Sequence, residues 1–133
     1  MRCLISILFA FAVAVTAAAQ TTTNLFPYGA VNGTNNGGWV IVSNVYIPTK
    51  TFLIQVGNIT NAPTASITNA ITVQIQVSVD GANSNWVTVA TYNPSSTNAL
   101  TEKFIPTLSS IALAMRARII TTNSLPVGTY LLE

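Results

Sequence analysis

Few residues in this chain could carry chemistry. Three acids, Asp80, Glu102 and Glu133, stand against five bases, Arg2, Lys50, Lys103, Arg116 and Arg118, and there is no histidine. A pair of carboxylates acting as acid and base, as in glycoside hydrolysis, would have to be Asp80 with Glu102. Nothing in their separate loop and strand contexts makes them converge, and Glu102 adjoins Lys103 while Glu133 is the last residue. The single cysteine, Cys3, lies near the start. The commonest general base, the usual zinc ligands and the Ser-His and Cys-His nucleophile pairings are therefore missing. Calcium prefers clustered carboxylates, and Asp80 stands alone; only a site of backbone carbonyls and Asn side chains would be open to it. No Gly-rich phosphate loop follows a strand pattern. The composition points away from an enzyme and calls for no cofactor and no metal.

Binding chemistry remains. In "SVDGANSNWVTV", Ser78 to Val89, the Asp80 carboxylate can accept hydrogen bonds from N–H groups two or three residues on, and Gly81 can take a positive φ. That makes a hairpin corner, with Trp86 packing across the start of the return strand, and the corner is the favoured reading. The rival reading is ligand contact by Asp80, Asn83, Asn85 and Trp86. Trp39, Tyr46, Tyr92 and Tyr130 could offer flat rings to the apolar faces of sugars, although each also suits a half-buried sheet position. The ligand-binding candidates are thus Asp80, Asn83, Asn85, Trp86, Trp39 and Tyr92. Arg116 and Arg118 could grip a carboxylate or phosphate from one strand face, or simply form a solvated or interface face. "NGT" at Asn32 and "NIT" at Asn58 are glycosylation sequons, meaningful only in a eukaryotic secretory route.

The elements that must position these residues read as strands. Ile71, Val73, Ile75, Val77 and Val79 share one side, with Thr72, Gln74, Gln76 and Ser78 opposite, a period of two. "TFLIQVG" places Phe52, Ile54 and Val56 together. The return strand after the corner sets Val87 and Val89 against Trp86, Thr88, Ala90 and Tyr92. "WVIVSNVYI" from Trp39 is β-branched and aromatic up to Pro48, and a shorter strand covers about Leu100 to Ile105. "IALAMRARIITT" alternates so that both arginines fall on the polar side, which favours strand over the helix its Ala, Leu and Met would also allow. "LPVG" then reads as a turn before "TYLLE". "LFPYGAVNGTNNGGW" mixes aromatic anchors with Gly and Asn and reads as an irregular arm.

The start, "MRCLISILFAFAVAVTAAAQ", has one positive residue, an apolar run and an A-x-A site ahead of Gln20. That is a secretory signal over 1–19, too short for a membrane span. The expected product is secreted, extracellular or periplasmic, with a polar arm at 20–38 and one domain at 39–133. About 114 residues remain after cleavage, enough for one core without disulfides. The remaining charge is near +1, which gives no footprint for nucleic acid. Nineteen Thr and thirteen Asn make the surface polar but uncharged, and little self-repulsion opposes close packing against neighbours.

About seven short strands with Pro, Gly and Asn turns indicate an all-β fold, a single antiparallel β-sandwich or jelly roll. A small membrane barrel is the runner-up, but its strands would need to be longer. Over Val73 to Ile120, the S-x-D-G…W hairpin (Ser78, Asp80, Gly81, Trp86) followed by "MRARII" resembles small extracellular and virion β-sandwich modules. These include discoidin-like carbohydrate-binding domains and β-sandwich proteins of bacteriophage particles. The resemblance implies a sandwich fold and a bias toward sugar or surface binding. Discoidin domains commonly tie their ends with a disulfide, which this chain cannot make, and their ligand-binding loops find no clear match here. The expected role is non-enzymatic: a structural or adhesive subunit of a surface, matrix, fibre or virion-like assembly. Its partners would be copies of itself or neighbouring surface proteins. A carbohydrate-binding module with a glycan partner is the alternative. An export signal argues against a virion component, since virions assemble in the cytoplasm.

Overall fold

The computed structural model describes residues 21–41, 50–78, 85–94, 96, 98–105 and 113–132. The segment read as a signal, Cys3, the corner residues Asp80, Gly81 and Asn83, most of "WVIVSNVYI" and Glu133 lie outside them. The described residues form one antiparallel, curled sheet with no helix. Its strands are β1 (Thr22–Asn36), β2 (Val40–Ile41), β3 (Thr51–Val56), β4 (Ile71–Ser78), β5 (Val87–Tyr92), β6 (Leu100–Phe104) and β7 (Ala114–Leu132).

β7 is the spine. Along one side it pairs first with β4, from Ser78↔Ala114 to Ile71↔Thr121, and then with β3, from Val56↔Val127 to Thr51↔Leu132. Along the other it pairs with β2 and β1; Ile120 is matched by both Thr34 and Thr72, and Leu132 by both Thr22 and Thr51. β5 then adds to β4, and β6 to β3. The alternating sequence explains the choice of face. Phe52, Ile54, Val56, Ile71, Val73, Ile75, Val77, Met115, Ala117, Ile119, Leu125, Val127 and Leu131 are all buried in one core. Each of these side chains larger than alanine contributes about 1.5–3 kcal/mol relative to exposure. Ile59 and Ile67, from the 57–70 connection, also enter it.

Three sequence expectations change. The supposed irregular arm is β1, a strand interrupted by register shifts at Asn24/Phe26, Phe26/Gly29 and Val31/Gly33. Its irregular composition marks bulges rather than a loop. "LPVG" is not a turn but the middle of β7. Pro126 is tolerated because it sits where β7 passes from β4 to β3. No ladder N–H is required of it there, and its carbonyl still accepts the Gly57 N–H at 2.7 Å. A bulge in β5 between Thr88 and Ala90, opposite Ile75 and Gln76 of β4, pairs Val77 with Val87 but Ile75 with Ala90 and Val73 with Tyr92. Val87 and Tyr92 thus fall in line with core residues, although simple alternation separates them.

The β1–β7 ribbon folds back on itself. Leu25 and Gly37 are twelve positions apart, roughly 40 Å along a straight strand. Yet a Cβ placed on Gly37 would lie 1.9 Å from the Leu25 carbonyl oxygen, and the Gly37 N–H donates to the Ala117 carbonyl at 2.8 Å. At the opposite margin β5 meets β6 through side chains. The Tyr92 and Phe104 rings are 5.4 Å apart, and the Tyr92 hydroxyl donates to Glu102. Two seams, one of backbone and one of side chains, hold the curl.

Candidate functional site

Opposite the core, β4 and β7 turn Gln74, Gln76, Arg116 and Arg118 to one face, with Gln76↔Arg116 and Gln74↔Arg118 directly paired. Arg116 is fixed from two sides. Its guanidinium carbon lies 4.3 Å from the Trp86 ring centroid, a cation–π contact worth about 0.5–2 kcal/mol. Its Nε donates to Gln76 Oε1 at 2.9 Å, and Gln76 Nε2 donates to Thr88 Oγ1 at 3.2 Å. Burial, and secondarily the charge of Arg118, push the Arg116 pKa below the usual arginine value. Three buried polar atoms, Trp86 Nε1, Arg118 Nε and Gln74 Oε1, have no hydrogen-bond partner.

The other candidates do not join this row. Asn85 is exposed beside Trp86. Trp39 is exposed ahead of β2. Tyr92 belongs to the β5–β6 seam, where burial first and Glu102 second raise its pKa far above 10. A tyrosine with a raised folded-state pKa favours the folded state fully below its unfolded value, about 10, and loses that contribution as pH climbs beyond it. Urea denaturation followed from pH 8 to 11.5 should therefore show stability falling above about pH 10. Tyr92→Phe should flatten the fall; an identical decline in the variant would assign it elsewhere.

A second feature escaped the sequence. Gly128, Gln55 and Thr101 are consecutive register partners across β7, β3 and β6. Beside them opens a cleft of about 480 Å³ lined by Tyr28, Gln55, Val56, Gly57, Ala99, Leu100 and Thr101. Glycines make the room: a Cβ on Gly57 would lie 2.8 Å from the Tyr28 hydroxyl, and one on Gly128 would lie 2.9 Å from that of Tyr130. Asn58, of the second sequon, accepts the Ala99 N–H at 3.0 Å and ties the rim together. The cleft offers an exposed ring, an amide and a hydroxyl, and no charge. Tyr28 and Gln55 are ordinary in the sequence, and only the pairing of β3 with β6 and β7 brings them together.

Among the described residues no three His, Cys, Asp or Glu gather where a metal ion could bind. They include no helix long and apolar enough to cross a membrane. Neither a protein-family model, nor a curated protein, nor a solved structure matches this chain.

Proposed function

We propose that this is an exported, non-enzymatic β-sandwich protein of the kind seen in extracellular and virion-like modules. It acts through its surface as a structural or adhesive subunit of a larger assembly. The observation carrying this reading is the placement of four of the six large apolar side chains exposed among the described residues. Ile41 is 75% exposed, and Trp39, Val87 and Leu113 are exposed as well. All four lie at one end of the sheet: Ile41 pairs with Ala114, Ser78 pairs with Ala114, Val87 pairs with Val77, and the Leu113 N–H donates to Ser78. Scattered apolar residues are normal on a protein surface, but a cluster of this kind marks an interface.

A second reading, a carbohydrate-binding module, is favoured by the neutral Tyr28–Gln55–Thr101 cleft. Light scattering of the secreted protein separates the two. Assembly predicts a mass that is a multiple of the monomer's and falls to the monomer's in Ile41→Asp. A monomer at every concentration, whose binding to a glycan array disappears in Tyr28→Ala, would replace the first reading with the second.

A further inference from the structure

The Arg116–Arg118 face is incomplete as a self-contained structure. A buried polar atom normally finds a partner, and here three fail to do so within one small region: the Trp86 indole N–H, Arg118 Nε and Gln74 Oε1. Gln74 and Arg118 are direct register partners, yet neither of these two atoms satisfies the other. Both guanidinium groups also project from one face, two residues apart on β7, and their mutual repulsion adds to the stress on Arg116. Among the described residues no acid pairs with either, and Glu102 is engaged by Tyr92.

The unmatched set has a definite chemical complement. Two donors beside two positive charges require an oxyanion, and a planar carboxylate fits the guanidinium fork. The remaining acceptor, Gln74 Oε1, requires a donor on the same ligand, such as a neighbouring hydroxyl. We propose that Arg116, Arg118, Trp86 and Gln74 form a binding site for a hydroxylated carboxylate, the chemistry of a sugar acid in an acidic glycan. The Arg116–Trp86–Gln76 contacts preorganise one side of the site, while Arg118 supplies the free donor. This site lies apart from the neutral Tyr28 cleft and does not rest on either reading of the protein's role.

The test is a titration of the purified protein with glucuronate, followed by the tryptophan indole and arginine Nε–H signals in nitrogen–proton NMR spectra. Trp39→Phe assigns the Trp86 indole. Glucuronate should shift Trp86 and Arg118 saturably, more weakly as salt rises. Glucose should do nothing, and acetate and sulfate should bind about tenfold more weakly for lack of the paired hydroxyl. Arg118→Gln should weaken glucuronate about tenfold or more, and Arg118→Lys by an intermediate factor, because the charge stays while the fork is lost. The wild-type shifts stand even where a variant folds poorly. No saturable shift, an equal response to glucose, or acetate and sulfate binding as well as glucuronate would overturn the proposal. So would binding that appears only in Asp80→Asn, since the chain's own carboxylate would then be the occupant.

Discussion

Gly37→Ala should destabilise the protein by about 3 kcal/mol, the upper end of what overpacking costs. The new methyl carbon would sit 1.9 Å from the Leu25 carbonyl oxygen and 3.0 Å from its carbonyl carbon. Both are backbone atoms, so no side chain can rotate away to admit it. Leu25 is itself wholly buried, so moving its peptide disturbs the core and parts the seam that holds the β1–β7 ribbon in its curl. Gly38→Ala is the matched control. Nothing lies within 4 Å of its added carbon, and Ala restricts the unfolded chain, so the change should be neutral or stabilising by up to about 1 kcal/mol. Urea denaturation of the two variants side by side measures the contrast. Equal midpoints would mean that the ribbon is not closed at this point.

Phe52→Ala should be as damaging, at about 3–5 kcal/mol. Phe52 is fully buried on β3, with Phe104 on β6 and Leu131 on β7 as its direct partners. Its ring lies 6.5 Å from Phe104, and Phe104 lies 5.4 Å from Tyr92. Truncation therefore leaves a cavity and also removes the backing of the side-chain seam between β5 and β6. Against a total stability of about 5–15 kcal/mol, the loss approaches complete unfolding. At about 4–8 °C per kcal/mol for a domain near this size, the melting temperature should fall by at least about 12 °C. A fall under about 5 °C would place Phe52 outside the core's centre.

The parts legible in the sequence are those where alternation is uninterrupted. Phe52, Ile54 and Val56 on β3, and Ile71 to Val77 on β4, point inward as their spacing requires. Arg116 and Arg118 likewise share a face with Gln74 and Gln76 because β7 and β4 keep register. Reading failed where one strand gains a residue on its partner. The β5 bulge brings Tyr92 into line with Val73, and the β1 bulges disguise a fifteen-residue strand as a loop. Pro126 suggests a turn only until it is clear that β7 changes partners there. The candidate site divides in the same way. Trp86 and the arginines could be singled out from local pattern. The unmatched Gln74 atom and the Tyr28 cleft depend on which strands lie side by side, and no local pattern encodes that.

Each expectation above depends on β7 lying between two ladders along most of its length, with the rest of the sheet built outward from it. Hydrogen exchange resolved to individual amides tests this directly, because protection follows how deeply a strand is enclosed. The slowest exchange should fall in Ala114–Thr121 and Val127–Leu131, slower than in β5 and β6, which pair on one side only among the described residues. Exchange in β7 as fast as in β5 or β6 would contradict the arrangement.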